Sequence, residues 1–198
     1  MHKILKILIT SSMFYNFTAG MIGPIYAIFA QKIGGDIFVA SSAIAVYTFV
    51  IGVLILIFGR IEDRLDKKKV FIVGRAINVV GIAGYLFVSS PMDLFLVQGI
   101  LGVAIAMMNP TFEALYSRGL RKGHEAFEWS VWEGSINIML SVAAITGGFV
   151  AAVFGFQTLF IMMTVTAVMG FLSATFIMKD TIWSQMRRIV SRKKSVHV

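Results

Sequence analysis

Residues 39–58 read VASSAIAVYTFVIGVLILIF, a run that contains no charged side chain. A helix of about 20 apolar residues spans the roughly 30 Å hydrocarbon core of a bilayer. Five further blocks of similar length give six predicted spans, at residues 7–28, 39–58, 70–88, 94–116, 131–154 and 159–177. Backbone polar groups in lipid must be satisfied within the segment, and the blocks lack the alternation of barrel strands. The sequence therefore predicts an all-α membrane protein of six transmembrane helices.

Composition excludes several other classes of protein. The chain of 198 residues is 58% hydrophobic and 14% charged, which leaves too few polar side chains to cover a water-soluble domain. It has no cysteine, and its three histidines are far apart, so neither a metal site nor a cofactor is predicted. The sequence shows no nucleophile triad, acid/base carboxylate pair or phosphate loop, which makes an enzyme the least favoured class.

The basic residues predict the orientation. The net charge is +8, but nearly all Lys and Arg lie at the two termini and in the loops after the second and fourth spans, and we therefore expect no nucleic-acid partner. Short cytoplasmic loops retain positive charge, which places both termini in the cytoplasm and the protein in the cell (inner) membrane. Residues 179–198 are predicted to form a basic amphipathic tail on the inner leaflet, although its last few residues also fit a disordered tail.

The loop after the second span contains a motif. Residues 59–71 read GRIEDRLDKKKVF and resemble the signature G-x-L-A-D-R-x-G-R-R-x-x-L of major facilitator superfamily transporters. The positions that match or are conservatively replaced in the polar part of the motif are Gly59, Asp63, Arg64, Lys67 and Lys68. Asp66 replaces the second glycine, and aspartate tolerates the left-handed conformation that a tight turn can require. The alternative is a basic hairpin that only sets topology.

This resemblance implies a fold and a function. The expected fold is the N-terminal six-helix half of such a transporter, in which residues 1–178 form two inverted three-helix repeats, 1–90 and 91–178. The expected function is movement of a small solute by alternating access, with the 59–71 loop as a latch against the other half. A subunit or scaffold that keeps the fold without transporting is the alternative.

Polar residues within the spans are candidates for the solute path, because such groups are costly in hydrocarbon. The first and fourth spans line the cavity in the family, and their candidates are Tyr15, Asn16, Pro24, Gln98, Asn109 and Glu113. Hydrogen bonds that hold the bundle together are the alternative explanation. Arg75, Glu113 and Glu133 share a similar inferred depth, which is consistent with a charge cluster that gates the inner mouth or carries a coupling proton. A static ion pair or snorkelling of these side chains at the membrane interface is the alternative.

The resemblance also predicts a working unit larger than one chain. The family places its solute between two six-helix halves, and a lone bundle is expected to expose cavity residues such as Asn16 and Gln98 to lipid. A homodimer of twelve helices satisfies both demands. A fragment cut at the linker between the halves, or a separately encoded second half, fits the same facts.

Overall fold

The computed structural model describes residues 3–62 and 65–195, and within these ranges every regular element is helical. The helices are α1 (Lys3–Ile22), α2 (Tyr26–Lys32), α3 (Ile37–Glu62), α4 (Lys67–Gly84), α5 (Pro91–Gly119) and α6 (Glu125–Ser195). Two single 3₁₀ turns, Gly23–Ile25 and Tyr85–Phe87, follow α1 and α4. The all-α prediction is therefore confirmed.

The helix starts have local causes. The side chain of Ser90 accepts a hydrogen bond from the Asp93 backbone N–H, while the Asp93 carboxylate accepts from the backbone N–H of Ser90, so the two residues form a capping box with Pro91 at the first helical position. Asp66 caps α4 by accepting from the backbone N–H of Lys68 at 3.0 Å. Its backbone is extended, with φ −71° and ψ 102°. Asp66 is thus an N-cap and not the left-handed turn residue that its place in the motif suggested.

Five helical segments in the described part of the chain are long and apolar enough to cross a membrane, and the last of them has an internal break. This segment, Glu125–Met178, has 54 residues, and a straight helix of that length would measure about 80 Å. The helix is interrupted at Gly155, whose φ of 83° and ψ of 168° lie outside the helical region. Only glycine adopts such angles without steric cost. We call the residues of α6 before and after Gly155 its first arm and its second arm.

Both arms of α6 pack against α1. On the second arm, the Ser11 hydroxyl donates to the Gly170 carbonyl at 3.0 Å, and the hydroxyls of Thr18 and Thr166 are 2.8 Å apart, so the residue number falls along this arm as it rises along α1. On the first arm, Trp132 and Ile136 border one space with Ser12 and Tyr15, whereas Ala143 lies against Gly20 and Gly147 against Met21, so both numbers rise together. The two arms therefore run in opposite directions along α1.

The interior consists of two apolar clusters at opposite ends of the bundle. One surrounds Phe29, Tyr85 and Phe160 and includes residues of every long helix. The other surrounds Phe71 and Tyr116, near the start of α4 and the end of α5. Large apolar side chains also cover much of the outer surface, as expected for a protein whose solvent is lipid.

Candidate solute path

A cavity of about 210 Å³ lies between the two apolar clusters. We call it the larger cavity. Residues of α1, α3, α4, α5 and the second arm of α6 line it, and most of them are apolar. Its polar residues are Tyr15, Thr18, Tyr47, Asn78, Tyr85 and Gln98. Such a mainly apolar space with a few polar groups is the usual form of a small-molecule site.

Gln98 borders this cavity but is held by the bundle. Its side chain is 6% exposed, and its amide nitrogen donates to the hydroxyl of Tyr26 at 2.6 Å and to that of Tyr85 at 3.3 Å. These bonds link α2 and the turn after α4 to α5, as in the bundle-holding alternative. The expectation that a lone bundle exposes Gln98 to lipid is wrong, because both tyrosines and the helices around them enclose it.

A second cavity, of about 180 Å³, lies on the other side of Tyr15. We call it the smaller cavity. Three of the predicted path residues, Tyr15, Asn16 and Asn109, border it together with Arg75 and Trp132. The Asn16 amide donates to the backbone carbonyl of Ser12 at 2.8 Å, a bond within its own helix. The structure thus brings residues of α1, α4, α5 and the first arm of α6 to one space.

Arg75 is buried, with 3% of its surface exposed. Its guanidinium lies over two aromatic rings, 5.0 Å from the centre of Tyr15 and 5.1 Å from that of Phe71. Glu113 and Glu133 are exposed, and no ion pair joins either of them to Arg75 in the part of the chain that the structure describes. The predicted charge cluster is therefore not present as a set of ion pairs, because Arg75 points into the bundle and the two glutamates point out of it.

Exposed polar side chains form two rows that the sequence analysis did not identify. Asn109, Glu113 and Ser117 follow each other at four-residue spacing along α5, and we call them the α5 stripe. The α6 stripe lies on the first arm and consists of Ser130, Glu133, Asn137 and Ser141. Residues three and four apart share one face of a helix, so this spacing could have revealed both stripes.

The remaining predicted residues lie away from both cavities. Pro24 is exposed in the 3₁₀ turn after α1. Gly59 is in the last turns of α3, and a side chain there would meet no atom within 4 Å among the described residues. Lys67 and Lys68 begin α4. Asp63 and Arg64 lie outside the described residues. No group of His, Asp and Glu that could hold a metal ion occurs in the ranges described.

Comparison with known proteins places this bundle in a family. The sequence model of the Major Facilitator Superfamily matches residues 8–187. The chain belongs to the major facilitator superfamily. This membership confirms the resemblance drawn from the 59–71 motif, and it makes the protein a relative of membrane transporters and not of enzymes.

Several superfamily members resemble the chain over nearly its whole length. Multidrug resistance protein MdtG of Yersinia enterocolitica is 22% identical over 98% of this chain and 48% of its own length. The proteins of the same name from Salmonella typhimurium and Klebsiella pneumoniae are 23% identical over 94% and 80% of this chain, and over 45% and 40% of their own. The chain therefore spans about half the length of the curated relatives it matches.

A solved transporter structure supports the fold. The crystal structure of the peptide transporter POT in complex with sulfate aligns with a TM-score of 0.74 and 18% sequence identity, over 87% of this chain and 37% of that one. At this identity the likeness concerns the arrangement of helices only. This chain thus shares the helix arrangement of less than half of that transporter.

Proposed function

We propose that the chain is one six-helix unit of a membrane transporter that moves a small solute by alternating access. Gly155 supports the count of six, because the two arms of α6 run antiparallel along α1 and each is long enough for one crossing. The six crossings would form two inverted repeats, residues 1–90 and 91–178, as in the superfamily.

The observation that carries this proposal is the larger cavity. A bundle that served only as a scaffold would close its interior with packed side chains, since proteins fill their cores to high density. Here α1 and α5, which hold the predicted path residues, border a partly open space of about 210 Å³ that no side chain of the described residues fills. The space is mainly apolar and has the Gln98 amide and several tyrosines on its wall, as expected where a partly apolar organic molecule binds. A non-transporting subunit or scaffold is the second candidate.

The two stripes support a second six-helix unit. Glu113 and Glu133 are exposed and apolar residues flank them on their helices. A carboxylate that faces hydrocarbon at the helix centre costs about 2.5–3.5 kcal/mol on insertion scales, and less near a helix end. A second unit that covers both stripes, with water between, would remove this cost. A homodimer supplies that unit most simply, and a separately encoded half or the remainder of a longer chain would supply the same surface.

The loop between α3 and α4 is the proposed latch between the two units. Asp63 and Arg64 occupy the superfamily positions that engage the opposite half, and Lys67 and Lys68 would face anionic lipid. With the basic loops inside, both termini are cytoplasmic and the basic tail lies on the inner leaflet.

A search for stabilising ligands tests the proposal on the larger cavity. Because three relatives are named multidrug resistance proteins, the panel consists of aromatic and aliphatic organic compounds of both charges. A ligand at 100 times its Kd stabilises the native state by about 2.7 kcal/mol, so its binding raises Tm. Ala19 lines the cavity and Ala45 faces outward, which makes Ala19→Phe a cavity-filling variant and Ala45→Phe its matched control. We expect the ligand-induced rise to be lost in the first variant and kept in the second.

Two results would contradict the proposal. If no compound of any class raises Tm, the cavity is a packing defect, and a non-transporting scaffold becomes the favoured function. If Ala19→Phe responds to ligand as Ala45→Phe does, the ligand binds elsewhere.

Crosslinking tests the second unit. The natural chain has no cysteine, so a single cysteine at Asn109 or Asn137 reports on one stripe without background. We expect both positions to crosslink to a second copy in nanodiscs, and a cysteine at Phe49, an exposed apolar position on α3, to crosslink much less. A solute-binding particle with the mass of one chain and no crosslink from either stripe would exclude the homodimer.

A further inference from the structure

Arg75 is a buried cation whose hydrogen-bonding capacity is unused. In the ranges that the structure describes, the guanidinium takes part in no hydrogen bond or ion pair, and its Nε is fully buried without a partner. The aromatic rings of Tyr15 and Phe71 interact with the positive charge through their faces. A guanidinium has five N–H donors in its plane, and ring faces at 5 Å do not replace acceptors for these donors.

A second buried donor borders the same space. The indole Nε1 of Trp132 is also without a partner, and it is one of only two buried side-chain polar atoms in that condition among the described residues, the other being Arg75 Nε. Arg75 comes from α4 and Trp132 from the first arm of α6, yet both line the smaller cavity. The amides of Asn16 and Asn109 lie on its wall as well, and none of its lining residues is acidic.

We infer that the smaller cavity is an anion subsite that takes the carboxylate, or another small oxyanion group, of an organic solute. Leaving a buried charge or N–H without a partner is costly, and an oxyanion would satisfy the Arg75 and Trp132 donors together while neutralising the charge. Guanidinium suits this role because its parallel N–H groups bind both oxygens of a carboxylate. The rings of Tyr15 and Phe71 hold the guanidinium in place before the anion arrives, which reduces the entropy lost on binding.

The location of the subsite suggests how an anionic solute would lie. Tyr15 borders both cavities, so a solute with its carboxylate beside Arg75 can extend its apolar part toward the larger cavity. In this respect the inference rests on the proposed solute path, and it narrows the solute to an amphiphilic organic anion. Binding of the anion itself needs neither transport nor the second unit, so it can be tested separately.

Paired ligands of nearly the same shape test the charge requirement. The full chain is purified in dodecyl maltoside, a detergent with neither charge nor phosphate, and melted with sodium benzoate or with neutral benzamide at constant ionic strength. We expect benzoate at ten times its Kd to raise Tm by about 3–6 °C and benzamide to have little effect. The phosphate of a lipid headgroup has the same oxyanion chemistry, so a further series adds phosphatidylglycerol in place of benzoate.

Matched variants assign the effect to the cavity. Arg75→Gln should abolish the benzoate shift, whereas Arg118→Gln, the same change at an exposed arginine near the end of α5, should preserve it. Trp132→Phe keeps a ring but removes the N–H donor, and we expect it to raise the benzoate Kd severalfold. This variant and Arg75→Lys keep the test informative if Arg75→Gln does not fold.

The outcomes distinguish a solute from a lipid headgroup as the bound anion. They also distinguish failure of the anion subsite from failure of the larger cavity. An Arg75-dependent rise in Tm with phosphatidylglycerol and none with benzoate would assign the subsite to a lipid headgroup. This result would support an anion subsite but contradict its occupation by a solute. Equal shifts in Arg75→Gln and Arg118→Gln, equal effects of benzoate and benzamide, or no shift with either anion would overturn the inference. A benzoate shift that survives Ala19→Phe would support the anion subsite even where the larger cavity binds nothing, so the two proposals can fail independently.

Discussion

Two adjacent glycines on the first arm of α6 should respond oppositely to the same substitution. A Cβ added at Gly147 would overlap the backbone carbonyl of Met21 on α1 and lie 2.6 Å from the Met21 Cα. A Cβ added at Gly148 would meet no atom of the described residues within 4 Å. Carbon atoms pack at about 3.5–4.0 Å, so Gly147→Ala forces α1 and α6 apart by about 1 Å, whereas Gly148→Ala disturbs nothing.

The expected difference in stability between Gly147→Ala and Gly148→Ala does not depend on the backbone contribution, because both variants share it. Replacing glycine by alanine within a helix stabilises it by about 0.5–1 kcal/mol, and both variants gain this. Overpacking a close helix contact costs about 1–3 kcal/mol, and only Gly147→Ala incurs this cost. We therefore expect Gly147→Ala to be less stable than Gly148→Ala by about 1–3 kcal/mol, and Gly148→Ala to equal or exceed the natural protein.

Reversible unfolding in mixed dodecyl maltoside and SDS micelles, followed by tryptophan fluorescence, measures this difference directly. A Gly147→Ala protein as stable as Gly148→Ala would refute the close crossing of α1 and the first arm. It would also remove one of the contacts from which the opposite directions of the two arms were inferred.

Three further outcomes can be measured. Reporters fused after Val198 and inserted in the loop between α3 and α4 should both report cytoplasm, and a periplasmic signal from either would reverse the predicted orientation. With a single cysteine on the α5 stripe, Asp63→Asn should change the rate of maleimide labelling severalfold and Lys69→Ala should not, because Lys69 is one of several basic residues in the loop; equal and negligible effects would reduce the loop to a topology signal. Gln98→Leu should destabilise the bundle by about 1 kcal/mol through loss of its two interhelical hydrogen bonds, whereas Gln31→Leu, at an exposed position, should change stability little.

The lengths and types of the helices could be predicted from sequence because bilayer thickness constrains both. The span predicted at 39–58 lies within α3 (Ile37–Glu62), and the span at 94–116 lies within α5 (Pro91–Gly119). Both helices extend a few residues beyond the apolar block, since hydropathy marks the hydrocarbon core and the caps mark the helix. The blocks at 7–28 and 70–88 contain 3₁₀ turns, at Gly23–Ile25 and Tyr85–Phe87, that hydropathy did not predict. Ser90 and Asp93 set the start of α5 by hydrogen bonds that a hydropathy profile does not detect.

The candidate site was less predictable, because a hydropathy profile gives the depth of a residue and not the direction of its side chain around the helix. Arg75, Glu113 and Glu133 were inferred from sequence to lie at a similar depth, and on that ground a charge cluster was expected. The direction differs: Arg75 points between α1 and α4, and the two glutamates point outward. The interior cation and the two exterior carboxylates therefore need different partners.

A second six-helix unit opposite the glutamates and an anion beside Arg75 would together supply these partners. In the proposed transporter, a second six-helix unit would place a polar surface opposite the exposed glutamates across a water-filled path. The buried guanidinium requires an acceptor inside the bundle, and no residue in the described part of this chain supplies one. If Arg75 formed ion pairs with Glu113 and Glu133, these charges would give no reason to expect a second unit or a ligand. Their separation is thus the strongest physical argument that this chain works with something it does not itself contain.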